Sequence, residues 1–254
     1  MKTSIIICTY NEEKTIAGVV SACCKMNKDC EVIVIDDGST DSTETILTDL
    51  LEIYRFTYER LPENMGKSWA MVYGVEIAYN DIILFFDADV SNIRKEHFQK
   101  LLEPIQKNQA DMVLGQPSDT LIDYRINPFK ALTGERALIK KDIIPLLDDI
   151  RETRFGAETY INLYFQASGK RISYTILEGL SHPVKYQKTK PVQATREFIR
   201  EGQEIAATFL HNYNLLIQRL IIQLKKHKLM IKNPKHKRVK KTQVFGIFYF
   251  KHDN

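Results

Sequence analysis

The 254-residue sequence contains no apolar run of the roughly 18 residues that a membrane-spanning helix needs. That excludes a spanning helix within it. Cysteine is scarce. Cys8, Cys23, Cys24 and Cys30 all lie in the first 30 residues, without the paired spacing of a zinc site. Neither a disulfide framework nor a structural zinc is expected, and the thiols read as reduced. The N-terminus enters a strand pattern directly, without the apolar core and small-residue cleavage site of a signal peptide, so the expected location is cytoplasmic. Glycine is missing from Thr9-Tyr10-Asn11-Glu12-Glu13, the loop after the first apolar segment, which instead holds two acids. A nucleotidyltransferase, the first rival enzyme class, usually cradles phosphate there with a basic, glycine-rich loop. Acid is nearly absent from the last 30 residues: 225–254 carry ten Lys/Arg and only Asp253, a balance of +9. The remainder holds 26 Lys/Arg against 31 acids. An acidic body with a basic tail is not the pattern of a nucleic-acid binder, and no nucleic-acid partner is expected.

What is present is organised around Ile82-Ile83-Leu84-Phe85-Phe86-Asp87-Ala88-Asp89. Five apolar residues without interruption read as a strand buried on both faces, the kind found in parallel α/β sheets. Such sheets bind ligands at the carboxyl ends of their strands, where Asp87 and Asp89 would sit. Two carboxylates one residue apart make a hard-oxygen site suited to Mg2+ or Mn2+ carrying a diphosphate. The plainer alternative is a turn whose acids cap the next helix.

Around this strand the chain alternates. Residues 4–9 form a β-branched strand, and Asn11 is placed to cap a helix from about Glu12 to Met26. A second fully apolar strand, 31–35, ends at Asp36-Asp37-Gly38-Ser39-Thr40-Asp41, where Ser39 or Asp41 would cap a helix running through Leu51. Residues 54–61 give a third strand, and Gly66-Lys67 precedes a helix over 68–79. A glycine lets the backbone approach a ligand, and an ammonium beside a helix N-terminus suits a diphosphate. This β-α-β-α-β-α-β order implies a mostly parallel sheet with helices on both faces, its polar strand ends aligned along one edge. Beyond it the pattern predicts a helix over 97–107, a strand over 111–115 and a loop containing Gly134-Glu135-Arg136. A helical stretch over 140–147, a helix to about Ala167 and a strand over 170–178 follow.

Thr9-Tyr10-Asn11-Glu12-Glu13, Asp36-Asp37-Gly38-Ser39-Thr40-Asp41, Gly66-Lys67 and Phe86-Asp87-Ala88-Asp89, in this order and spacing, resemble the successive signatures of family 2 glycosyltransferases. The resemblance covers about residues 3–180 and includes polyprenyl-phosphate glycosyltransferases and glucosyl-3-phosphoglycerate synthase-like enzymes. It implies a GT-A type nucleotide-diphospho-sugar transferase fold and a metal-dependent transfer from a UDP- or GDP-linked sugar to an acceptor, with inversion as the family expectation and retention, which relatives of this fold also perform, as the alternative. It also implies roles. Thr9, Tyr10, Asn11 and Glu12 would lie near the base or ribose, with Asp37 accepting from a pyrimidine N–H or ribose hydroxyl. Gly66 and Lys67 would meet the diphosphate. Asp89 would hold the metal, with Asp87 serving ribose or metal and His182 as a third ligand. Gly134, Glu135 and Arg136 would line the acceptor side, and Glu158 would act as base or orient the acceptor. Each acid has a plainer reading: Asp37 and Glu12 as helix-end acids, Glu158 as a first-turn helix acid, Glu135 and Arg136 as a local ion pair. His182 reads equally as a loop histidine before Pro183.

The domain reading is a catalytic domain over 1–190, with a nucleotide half (1–90) and an acceptor half (91–190). A C-terminal extension over 191–254 carries a helical and a basic part. A long amphipathic helix over 196–229 would pack across the domain or form a homodimer. Lys225, Lys226, Lys228, Lys235, Lys237, Arg238, Lys240 and Lys241 precede the aromatic Phe245-Gly246-Ile247-Phe248-Tyr249-Phe250. A basic cluster beside aromatic residues suits an anionic membrane surface, and with it a lipid-phosphate acceptor. A non-catalytic, membrane-associated nucleotide-sugar-binding protein is the second rival.

Overall fold

The computed structural model describes residues 1–26, 29–117, 133–153, 156–181, 212–215, 217–218 and 221–222. In order these form β1 (Thr3–Thr9), α1 (Ile16–Met26), β2 (Glu31–Asp36), α2 (Thr43–Leu51), β3 (Thr57–Arg60), α3 (Lys67–Ile77) and β4 (Ile82–Phe85). Then come α4 (Lys95–Gln106), β5 (Met112–Pro117), β6 (Arg136–Ile139) and α5 (Lys140–Ile143). A 3-10 turn (Ile144–Leu146), α6 (Leu147–Arg151), α7 (Ala157–Ala167) and β7 (Ile172–Leu177) complete the described elements. The sheet runs β3-β2-β1-β4-β6-β5-β7. β1 pairs in parallel with β2 and β4, β2 with β3, and β5 with β7. β6 is antiparallel to both of its neighbours, β4 and β5.

The uninterrupted apolar strands are explained by a core on each face. On β1, Ile5 and Ile7 point into one cluster with Val32, Val34, Ile82 and Leu84, covered by Val19, Leu47 and Phe98 of α1, α2 and α4. Ile6 points the other way, with Ile33, Ile35, Ile83 and Phe85, covered by Met71, Val75, Ile150 and Ile161 of α3, α6 and α7. Alternate side chains of one strand thus serve opposite layers, so the middles of β1, β2 and β4 are apolar and their polar residues, such as Ser4 paired with Glu31, sit towards the ends.

Three expectations need correction at this level. α1 begins at Ile16, not near Glu12. Asn11 takes a left-handed conformation (φ 56°) and its side-chain oxygen accepts from the Thr40 N–H at 2.8 Å instead of capping. The N–H groups of Asn11, Glu12 and Glu13 are bound by Ser39, Thr43 and Asp41 across the gap between two loops, so this stretch serves the β2–α2 loop before the helix can start. Ser39 likewise turns to Asp36, while Asp41 does accept from the Thr43 N–H at 3.0 Å. Finally, 140–147 is broken into α5 and a 3-10 turn holding Pro145, whose ring cannot continue the α-helical ladder. His182, the body of 196–229 and the basic tail lie outside the described residues. Of the C-terminal part, Leu215 packs against the second core cluster.

Candidate active site

β1, β2 and β4 are parallel, so their carboxyl ends share one edge of the sheet, and the loops leaving them carry the acids singled out above. At the end of β2 the two aspartates divide. Asp36 is fully buried and accepts from the Ser39 N–H (2.9 Å), the Ser39 hydroxyl (2.5 Å) and the Tyr58 hydroxyl (3.2 Å), with Arg60 at 3.6 Å. Its carboxylate shapes the turn. Asp37, expected to face the nucleotide, is also buried, and its oxygens accept from the backbone N–H groups of Met65 (2.8 Å) and Gly66 (2.9 Å). In this structure Asp37 fastens the loop that starts α3. Gly66 has φ 101°, a left-handed conformation that β-carbon-bearing residues rarely take, and it delivers Lys67 as the first residue of α3.

Lys67 is the centre of the arrangement. Its Nζ lies 2.9 Å from Asp87 Oδ1 and 2.8 Å from Glu158 Oε1, so one ammonium joins the end of β4 to the first turn of α7. Burial would lower the Lys67 pKa, but the two carboxylates outweigh it and hold the pKa well above the ordinary lysine value. Burial would likewise raise Glu158, yet Lys67 and Arg136 hold it below the ordinary glutamate range. Both groups are charged. A carboxylate so stabilised is a weak proton acceptor while Lys67 stays beside it.

Gly134 closes the wall on the other side. A β-carbon there would overlap the Asp87 carboxylate, so the position requires bare backbone. Gly134, Asp87, Lys67 and Glu158 line a small pocket with Ile6, Cys8, Met71, Phe85 and Phe86. The Cys8 thiol in that wall is pushed up by burial and is not a nucleophile there.

Glu135 and Arg136, expected to line the acceptor side, are both fully buried and cannot touch an acceptor in this state. Arg136 donates through one guanidinium nitrogen to the Glu158 carbonyl (3.2 Å) and to Asn162 Oδ1 (3.3 Å), and through the other to the Thr133 carbonyl (2.5 Å). It therefore bolts the Gly134 loop to α7. Burial lowers its pKa, opposed chiefly by the nearby Glu158 and Asp87 charges. Glu135 accepts from the Thr133 hydroxyl at 2.8 Å. Asn162 was not singled out by sequence reasoning, although a polar residue four positions after Glu158 on an otherwise buried helix face is a readable signal.

Of the other candidates, Tyr10 is exposed at the rim and Glu12 is half-buried, its carboxylate accepting from the Thr15 hydroxyl at 3.2 Å. The Thr9 carbonyl accepts from the Asp37 N–H at 2.8 Å, while its buried hydroxyl has no hydrogen-bond partner. Asp87 and Asp89 are both partly exposed. Among the described residues no cluster of three or more His, Cys, Asp or Glu is preassembled around a cation position. Two accessible carboxylates do suit a hard cation such as Mg2+, which keeps several waters and usually takes only one or two carboxylates.

A family model described as glycosyl transferase family 2 matches residues 4–157, more than half of the chain. The chain belongs to glycosyl transferase family 2. The family match runs from Ser4 in β1 through Arg136 and stops one residue before Glu158. A 4,4'-diaponeurosporenoate glycosyltransferase of Staphylococcus aureus (strain USA300) is 28% identical over 188 residues, covering 70% of this chain and 49% of the relative. This family 2 chain thus spans about half the length of the curated relatives it matches. Among solved structures, glucosyl-3-phosphoglycerate synthase from Mycobacterium tuberculosis in complex with phosphoglyceric acid superimposes with a TM-score of 0.64 at 20% identity. The match covers 83% of this chain and 79% of that one. The same enzyme in complex with Mn2+, uridine diphosphate and phosphoglyceric acid gives a TM-score of 0.65 at 20% identity, covering 83% and 78%. At that identity the likeness establishes the fold, which is the GT-A architecture expected from the motifs. Family membership also sets aside the nucleotidyltransferase alternative. No helix among the described residues is long and apolar enough to cross a membrane.

Proposed function

We propose that this chain transfers a glycosyl group from a nucleotide-diphosphate sugar to an anionic acceptor, with a divalent ion held at Asp87 and Asp89. The observation that carries this reading is the juxtaposition of Lys67, Asp87 and Glu158 beneath Gly134, at the carboxyl edge of a family 2 sheet. A divalent ion there neutralises the negative charge that builds on the departing diphosphate. The chain's own residues supply the rest. Lys67 adds a second positive charge beside the diphosphate, and Asp37 keeps the Gly66 turn in place so that Lys67 points into the pocket. The bond between the anomeric carbon and the diphosphate oxygen breaks as the acceptor oxygen bonds to the opposite face of that carbon, with inversion. Glu158 orients the acceptor, and takes the proton of a hydroxyl acceptor only once the diphosphate draws Lys67 away from it; a phosphate or carboxylate oxyanion brings no proton to remove.

Two relatives motivate the donor and acceptor classes. The Mycobacterium tuberculosis enzyme has been solved with Mn2+, UDP-glucose and phosphoglyceric acid. The Staphylococcus aureus enzymes are named for a diaponeurosporenoate. Both names denote an acid beside the sugar donor, which favours a phosphorylated small molecule, a polyprenyl phosphate or a lipid carboxylate as acceptor here. His182 is the proposed third metal ligand, and the basic segment 225–254 the proposed contact with an anionic membrane at the cytoplasmic face. The helix over 196–229 is the proposed homodimer seam. The test is donor hydrolysis across UDP- and GDP-sugars, with and without Mn2+. Turnover of one donor class, dependent on Mn2+ and reduced by about 100-fold or more in Asp89→Ala, is expected; hydrolysis indifferent to that substitution would sink the metal assignment.

A further inference from the structure

The segment that follows Asp89 is joined to the turn after β7 by a seam of hydrogen bonds over the buried Val90, Leu177 and Leu180, and one of its polar side chains, His97, is buried as well. Ser91 and Ser181 exchange backbone hydrogen bonds at 2.9 and 3.2 Å, and the Ser91 hydroxyl donates to the Ser181 carbonyl at 3.3 Å. The Arg94 guanidinium lies against Gly179, where a β-carbon would come within 2.6 Å of it. Lys100 donates to the Ile176 carbonyl at 3.1 Å and stands 3.6 Å from Glu178. Between them sits His97, only 2% exposed, in the first turn of α4. Its Nδ1 accepts from the Arg94 N–H at 3.2 Å, and its Nε2 lies 2.9 Å from the Glu178 carbonyl.

These partners fix the ring. A backbone N–H can only donate, so Nδ1 is bare; a carbonyl can only accept, so Nε2 carries the proton. The neutral ring is fully used, one nitrogen closing the N-terminus of α4 and the other reaching across to a different part of the chain. A surface histidine would do neither. Serine, lysine and arginine on the same seam are accessible, and their bonds compete with water. The buried imidazole does not face that competition, and it ties the turn after Asp89 to the end of the β5–β7 pair.

We infer that His97 is a positioning residue for Asp89, holding the Ser91–Ser181 seam so that the Asp89 carboxylate stays where a divalent ion can use it. The inference rests on the metal reading of Asp89 above. Two substitutions separate the halves of the ring. In His97→Asn the side-chain oxygen still reaches the Arg94 N–H, but nothing reaches Glu178. In His97→Gln the amide nitrogen extends toward the Glu178 carbonyl. Mn2+ affinity, measured by the electron paramagnetic resonance of free Mn2+ in the presence of UDP, is the readout, with Asp89→Ala and Ile105→Val as comparisons. Ile105 is buried in the last turn of α4, and trimming it loosens the packing of that helix.

Removal of a group that orients a ligand typically weakens metal affinity by 10- to 100-fold, so His97→Asn is expected to lose about tenfold in Mn2+ affinity. His97→Gln should lose less, and Ile105→Val should lower the melting temperature while leaving Mn2+ affinity unchanged. If Asp89→Ala abolishes binding and His97→Asn binds as the wild type does, the histidine is a helix cap and the inference fails alone. The same follows if Ile105→Val weakens Mn2+ binding as much as His97→Asn. Absence of Mn2+ binding by the wild-type chain removes the metal reading and this inference with it.

Discussion

Replacing Gly134 with alanine would place a methyl group inside the Asp87 carboxylate. Either the loop or the carboxylate must retreat, and overpacking of this kind costs about 1–3 kcal/mol. The catalytic penalty should exceed the thermal one, because a displacement of about 1 Å at a reacting centre can cost roughly 100-fold in rate. Gly134→Ala is therefore expected to melt a few degrees lower and to lose about two orders of magnitude in donor turnover, checked by parallel melting and hydrolysis assays. Glu158 gives a pH prediction. Burial raises its pKa, but Lys67 and Arg136 outweigh that and hold the folded value below the unfolded one, near 4.3. Its stabilisation is thus complete above that ordinary value and is lost as pH falls through the lowered folded one. Glu158→Gln should be less stable at neutral pH by about 1–3 kcal/mol. It should also show a flatter decline of stability between neutral pH and pH 3, read from urea melts across that range. An unchanged slope would mean the carboxylate is not held by the lysine in solution.

At the scale of elements, Arg136 bonds β6 and the Gly134 loop to the N-terminal turn of α7 through three acceptors. Arg136→Met keeps the volume but removes the donor shared by these three acceptors, so a loss of about 3 kcal/mol is expected, visible as a drop in urea midpoint. A smaller loss, within about 0.5 kcal/mol, would show that the carbonyls find other donors. The elements also show why sequence and structure agree where they do. β1, β2 and β4 were legible because burial on both faces leaves an unbroken apolar run, which few other environments produce. The start of α1 was not, because its position depends on bonds from Asn11, Glu12 and Glu13 to residues about thirty positions away. Asp36, Asp37, Lys67, Asp87 and Glu158 could be named from local motifs. That Asp37 holds the Gly66 turn, or that Lys67 spans Asp87 and Glu158, depends on long-range packing no motif contains. Arg136 was placed by resemblance alone, with its role open, and its burial under α7 is visible only in the packing, since charged residues are mostly exposed.

For the whole molecule, charge divides an acidic body from a basic C-terminal segment. Deleting 225–254 removes ten cations and leaves every described residue in place. The shortened chain is expected to lose binding to vesicles containing anionic lipid at low salt while retaining donor hydrolysis; undiminished vesicle binding would remove the membrane role of the tail. Among the described strands only β6 is reversed. Because β6 runs against β4, with Arg136 beside Phe85, the entry loop of β6 arrives at the same edge as the exit loop of β4. The pocket is therefore assembled from two independently anchored supplies of chain. Pairing with β4 and β5 on either side fixes β6 in register, whatever the length of chain between Pro117 and Thr133. For a protein engineer this separates two levers: Phe85 and Arg136 can be varied on different strands while the register between them is kept by the pairing of β6 with β4 and β5.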